Sequence, residues 1–93
     1  MKPLQAFQIL RPLAEKGEPL AQLIVGRLYE KGEGAPHDCG EAVKWFTRAA
    51  EQENAEAQFE LATIYHQGQC VANDDRTAVI WFERSAKMGD PED

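Results

Sequence analysis

This sequence predicts an all-α chain: a right-handed α-solenoid of helical hairpins, about two and a half 36-residue repeats and five helices long. Three observations carry that prediction. The segment EAVKWFTRAAEQ at 41–52 returns thirty-six residues later as TAVIWFERSAKM. The recurrence extends over nearly the whole chain, and each recurring unit brings its own helix caps and stops.

Sliding 17–52 onto 53–88 without a gap gives identities in 11 of 36 positions. They are Ala21/Ala57, Gln22/Gln58, Tyr29/Tyr65, Gly32/Gly68, Asp38/Asp74, Ala42/Ala78, Val43/Val79, Trp45/Trp81, Phe46/Phe82, Arg48/Arg84 and Ala50/Ala86. Ordinary residue usage would give roughly 2 or 3 by chance. The same shift sets Ala6, Ile9, Leu10, Leu13 and Ala14 opposite Ala42, Trp45, Phe46, Ala49 and Ala50, and GEP at 17–19 returns as GDP at 89–91. The chain therefore reads as one repeat domain: a half repeat at 1–16, whole repeats at 17–52 and 53–88, and a tail at 89–93. At 93 residues, one domain is also what length allows.

Taken in order, the elements are helices near 3–16, 19–31, 39–52, 55–67 and 75–88. In the first, Pro12 removes a backbone donor and should kink the helix. Pro19 stands in the first turn of the second, where proline is tolerated, and Gly32 is its stop. Asp38, with Glu41 three residues on, has the spacing of a capping box for the third. Asn54 caps the fourth, Gly68 ends it, and Asp74 caps the fifth. On the third helix Trp45 and Phe46 point about 100° apart, so both find cover only if the helix is buried on two sides. Ala42, Ala49 and Ala50 flank them and permit close backbone approach. That is the pattern of a second helix wedged between the first helix of its own unit and that of the next.

The frame A-Q-x-x-[VL]-[GA]-x-[LI]-Y-x-x-G, a loop to Asp, then A-[VL]-x-W-F-x-x-A-A, resembles the Sel-one-like repeat, a relative of the tetratricopeptide repeat. One copy matches through Ala21, Gln22, Val25, Gly26, Leu28, Tyr29, Gly32, Asp38, Ala42, Trp45, Phe46, Ala49 and Ala50. The second matches through Ala57, Gln58, Leu61, Ala62, Ile64, Tyr65, Gly68, Asp74, Ala78, Trp81, Phe82 and Ala86. Ala62 stands for the usual glycine, Ser85 for an alanine, and Glu53 for the glycine between units. The resemblance implies a bacterial-type adaptor or scaffold that holds other proteins, and names no partner.

Other function classes have little to stand on. A net charge of −6 argues against nucleic acid, which is held by cationic contacts to phosphate. No apolar run reaches the roughly 18 residues of a membrane span, and the opening MKPLQAFQILRP makes a poor signal peptide. A cytoplasmic location with free thiols is the resulting expectation. His37 and His66 lack metal-ligand spacing. Cys39 and Cys70 stand at different repeat positions with no neighbouring base, open to a nucleophilic role or a bridge. A cysteine-rich subgroup of the family has regularly spaced disulfides and has been proposed to act on β-lactams; that spacing is absent here. Gly32 and Gly34 lack the lysine-serine of a phosphate loop. No cofactor, metal or catalytic residue is expected.

That leaves the surface. By the resemblance, first helices line a concave face, and positions outside the packing frame there are Leu20, Leu23, Arg27 and Lys31 in one unit and Glu56, Phe59, Thr63 and His66 in the next. These are the candidate groove for a protein or peptide segment. A second candidate surface is the C-terminal end, where Ile80, Trp81, Phe82 and Met88 should lack the cover that their counterparts receive. Two readings remain: an adaptor with a concave binding groove, or a structural fragment that associates end to end, as in a homodimer. An enzyme is a distant third.

Overall fold

Caps and stops set the helix boundaries. The computed structural model describes residues 2–88, apart from the side chain of Met88. It holds α1 (Pro3–Glu15), α2 (Pro19–Lys31), α3 (Cys39–Glu51), α4 (Ala55–Gln67) and α5 (Asp75–Met88). The tail at 89–93 lies outside the described residues. The Asn54 side chain accepts from the Ala57 amide at 2.8 Å. Asp74 takes both the Thr77 amide, at 3.2 Å, and its hydroxyl, at 2.8 Å. Asp38 accepts from the Glu41 amide at 3.1 Å, but only this half of the capping box forms. The Asp38 amide instead donates to the Tyr29 carbonyl at 3.1 Å, and Asp74 repeats that bond to Tyr65 at 3.0 Å. Each hairpin is thereby tied at its turn. Helix α1 runs on through Pro12 to Glu15.

The helices pack in chain order, α1 on α2, α2 on α3, α3 on α4 and α4 on α5. Helix α3 is accordingly held between α2 and α4, and Ala42, Trp45, Phe46, Ala49 and Ala50 are all buried. A Cβ at Gly26 would come within 2.8 Å of the Phe46 ring, so the missing side chain is the slot that seats this phenylalanine. The Trp45 ring carries further cover: the Arg11 guanidinium reaches it from α1 at 5.9 Å and Arg48 lies 4.8 Å from its centre. Burying such an aromatic contributes roughly 1.5–3 kcal/mol.

A polar lock accompanies this packing. The buried Gln22 amide donates to the Ala14 carbonyl at 3.1 Å, and Gln58 does the same to Ala50 at 3.1 Å. Each ties a first helix to the end of the preceding second helix, adding a second donor to a terminal carbonyl that already accepts from the Gly17 or the Glu53 amide. The Gln22 oxygen accepts from Gln52 at 2.8 Å. The Gln58 oxygen finds no donor among the described residues, and the residue thirty-six after Gln52 is Met88, which has no side-chain amide to offer.

The cysteines correct the expectation of free thiols. Cys39 and Cys70 are joined in a disulfide with their Cα atoms 5.3 Å apart. Repeat geometry explains it. Cys39 is the counterpart of Pro3, at the start of a second helix, and Cys70 the counterpart of Gly34, in the turn of the following hairpin. Gly34 already sits so close to Pro3 that a Cβ there would collide with the Pro3 carbonyl. In the second copy this contact falls between two cysteines and becomes a bond. Cys70 keeps the left-handed φ of its glycine counterpart, 68° against 78°, although a side chain disfavours it.

Closing a separation of 31 residues should stabilise the fold by about 3–4 kcal/mol through the unfolded chain. Thermal melting with and without a reducing agent checks this: the midpoint should drop on reduction, and Cys70→Ser should melt like the reduced protein in either condition. Equal midpoints with and without reductant would show that the bridge does not form.

Candidate functional site

Arg27 and the start of α4 build the centre of the groove. The Arg27 guanidinium crosses from α2 to α4, 3.2 Å from Glu56 and 3.6 Å from Glu60. Beside them is a cavity of about 330 Å³ lined by Arg27, Ala55, Glu56, Phe59, Glu60 and Ser85. Three of the candidate groove residues, Arg27, Glu56 and Phe59, are thus brought together. Ser85 closes the far wall, its hydroxyl donating to the Ala55 carbonyl at 2.8 Å.

The other groove candidates part company. Leu23 is in the core, only 1% exposed, and is withdrawn from the binding surface. Its counterpart Phe59 is 54% exposed, because the first unit has another hairpin stacked on it and the second has none among the described residues. Leu20 is 62% exposed, yet like Lys31 it lines neither cavity. The Thr63 hydroxyl is turned onto its own helix, donating to the Phe59 carbonyl at 3.0 Å.

His66 belongs to a second cavity, of about 360 Å³, with Asp75, Ala78, Val79 and Phe82. Its Nδ1 lies 2.9 Å from the Asp75 carboxylate, and Asn73 donates to the carbonyls of Tyr65 and His66 beside it. The two cavities meet at Phe59 and Phe82, whose rings pack edge to face with centroids 5.4 Å apart. Groove and end face are therefore one continuous surface over α4 and α5.

On that end face Trp81 and Phe82 are half-buried, where Trp45 and Phe46 are buried, and Ala86 is exposed where Ala50 is fully covered. Ile80 is exposed too, but it occupies the position of Lys44 on the outer side of its helix and lines neither cavity. The side chain of Met88 lies outside the described residues. Val79, 50% exposed and lining the second cavity, escapes sequence reasoning because its counterpart Val43 reads as part of the packing frame. Glu60, Ala55 and Ser85 escape it because the register between neighbouring hairpins is a tertiary property. Their one sequence signal is the departure of Ser85 from the repeat.

Electrostatically the groove is acidic. Burial, and then the nearby charge of Glu60, holds the Glu30 carboxyl above its ordinary range. Hydrogen bonds from His66 and Asn73 hold Asp75 below it, as those from Thr77 do for Asp74. Among the described residues no three potential metal ligands converge, and no helix is long and apolar enough to cross a membrane.

Comparison with known proteins places this geometry in context. The model of the Sel1 repeat matches residues 19–54 and again 55–90. A Sel1 repeat protein from Oxalobacter formigenes is similar over 95% of this chain and 36% of its own, at 34% identity and a TM-score of 0.90. The antigen c5321 of uropathogenic Escherichia coli strains, which displays an SLR fold, matches 92% of this chain and 18% of its own, at 38% identity and a TM-score of 0.86. Cysteine rich protein B of Helicobacter pylori shares the fold over 92% of this chain and 65% of its own, at 22% identity and a TM-score of 0.85. The chain thus spans about a third and a fifth of the first two. No curated protein matches it.

The raised Glu30 carboxyl sets a pH dependence. Its folded pKa exceeds the unfolded value of about 4.5, so the native state binds the proton more readily. The ionised side chain therefore destabilises the fold at neutral pH, and that cost is relieved as pH falls through the folded pKa towards 4.5. Glu30→Gln should melt higher than wild type at pH 7, with the gap closing as pH approaches 4.5; a lower midpoint at pH 7 would contradict the assignment.

Proposed function

The chain belongs to the Sel1 repeat family, and on that premise we propose that it is a non-catalytic interaction module whose α2–α4 groove holds a peptide or protein segment. Sel1 repeats are in general protein-interaction modules, and the family is typically a non-catalytic scaffold. One observation carries the finer reading: the cavity beside Arg27 pairs an exposed aromatic ring, Phe59, with a rim of carboxylates that outnumber the single guanidinium among them. Such a site suits a segment with an apolar side chain for Phe59 and Ala55, and a lysine or arginine for Glu56 and Glu60. Charge of this kind speeds encounter and fixes orientation, and salt weakens it. The Cys39–Cys70 bridge favours an oxidising compartment, where it would persist, over the cytoplasm.

A peptide-display selection against the full chain tests the groove. Enriched peptides should combine an apolar and a basic residue. A synthetic peptide from the selection should lose about tenfold in affinity on Phe59→Ala and again on Glu60→Gln, each near 1.4 kcal/mol. Lys44→Ala, on the outer face, should leave binding unchanged. Peptides without basic residues, or affinity indifferent to Phe59→Ala, would refute the assignment.

A further inference from the structure

A second helix meets the following first helix twice in this chain, α1 on α2 and α3 on α4. Where one unit passes into the next, both contacts are tied alike, by Gln22 to the Ala14 carbonyl and Gln58 to the Ala50 carbonyl, each at 3.1 Å. Towards the hairpin turns they differ. In the α1–α2 contact the Arg11 guanidinium donates to the Tyr29 hydroxyl at 2.6 Å, and Gly34 lies against Pro3 with no bond between them. In the α3–α4 contact the counterpart of Arg11 is Thr47, whose hydroxyl donates to the Val43 carbonyl of its own helix at 2.7 Å. Tyr65, the counterpart of Tyr29, lacks that partner, and the Cys39–Cys70 bond stands in the place of the Pro3–Gly34 contact. Among the described residues, the polar ties from the α2–α3 hairpin to α4 reach only its first half, at Glu56, Gln58 and Glu60.

We propose that the Cys39–Cys70 bridge is a thiol–disulfide exchange site that latches the turn end of the α4–α5 hairpin, opened and closed by a small monothiol of the glutathione class. Cys70 is exposed in the turn between α4 and α5, whereas Cys39 is half-buried in the first turn of α3. Access decides which sulfur is attacked, so the incoming thiolate takes Cys70. A bond forms between the incoming sulfur and the Cys70 sulfur, the Cys39–Cys70 bond breaks, and its electron pair leaves on Cys39. That thiolate stands at the start of α3, where the helix dipole favours negative charge. It closes the bridge again by attacking Cys70 and releasing the small thiol. Alternatively a second small thiolate attacks the small thiol's own sulfur in the mixed disulfide, departs with it as the symmetric disulfide, and leaves Cys70 as a thiolate; both cysteines then take a proton from water. The fold outlasts the bond, because Gly34 and Pro3 make the same approach with no bond at all. Opening removes the tie to the part of the hairpin beyond Glu60, and the change is confined there. The latch is independent of what the groove holds.

The test uses the full oxidised chain and glutathione itself. Brief exposure to millimolar reduced glutathione, then rapid alkylation and peptide mass mapping, should find glutathione on Cys70 and the alkyl group on Cys39. Native-state hydrogen exchange reads the consequence. In the bridged chain the Gln69 and Asp74 amides donate to the Ile64 and Tyr65 carbonyls at 3.2 and 3.0 Å, and the Glu33 amide, counterpart of Gln69, donates to the Leu28 carbonyl at 2.9 Å. On full reduction, exchange at Gln69 and Asp74 should quicken about tenfold more than at Glu33, since only their hairpin loses its tie. Cys39→Ser should show the same difference without reductant and should take up glutathione from its disulfide on Cys70. Three results would overturn the proposal: glutathione recovered on Cys39, a bridge that resists glutathione until the chain is denatured, or equal acceleration at Glu33 and Gln69, which would mean that the bond supports the whole fold and latches no part of it.

Discussion

Trp45 and Phe46 project about 100° apart from α3, so the helix satisfies both only by being enclosed on more than one side. The rest of the architecture answers that demand. Phe46 enters the slot left by Gly26, and the Trp45 ring is overlaid by the guanidiniums of Arg48 and, from α1, of Arg11. The small residues Ala42, Ala49 and Ala50 let α2 and α4 approach closely enough to enclose the helix. Close approach in turn brings a glutamine amide within reach of the carbonyls that end the preceding helix. Such a unit cannot bury its own faces, and a neighbour completes it, which is why stability in a solenoid resides between units as much as within them.

What was legible in the sequence was what is local or what repeats. Asn54, Asp74 and the two glycine stops act within one turn of their own position, and the helix limits fall where they direct. Trp45 and Phe46 recur because their packing recurs. Illegible was whatever depends on a residue's neighbour in the stack. Leu23 and Phe59 occupy one repeat position, yet one is core and the other surface, since only the first has a hairpin stacked beyond it among the described residues. Cys39 and Cys70 looked unrelated because they hold different repeat positions; those positions touch between one hairpin and the next, as the Gly34–Pro3 contact shows. Likewise Arg27 meets Glu56 and Glu60 through a register that no single-unit pattern encodes.

The same logic bears on function. Once packing has claimed its positions, the residues that remain free to differ are those on the groove and on the uncovered end, and here the two run together at Phe59 and Phe82. On the proposed reading, the acidic rim would favour cationic partners. Affinity in the groove should therefore depend on charge and salt.

Enclosure of α3 is the central claim, and native-state hydrogen exchange measures it most directly. If α3 holds the stack together, its mid-helix amides exchange only on global unfolding and are the slowest in the molecule, with those of α1 and α5, each covered on one side among the described residues, opening at lower free energy. Protection in α5 equal to that in α3, or amides of α3 exchanging no slower than those of α1, would contradict the account.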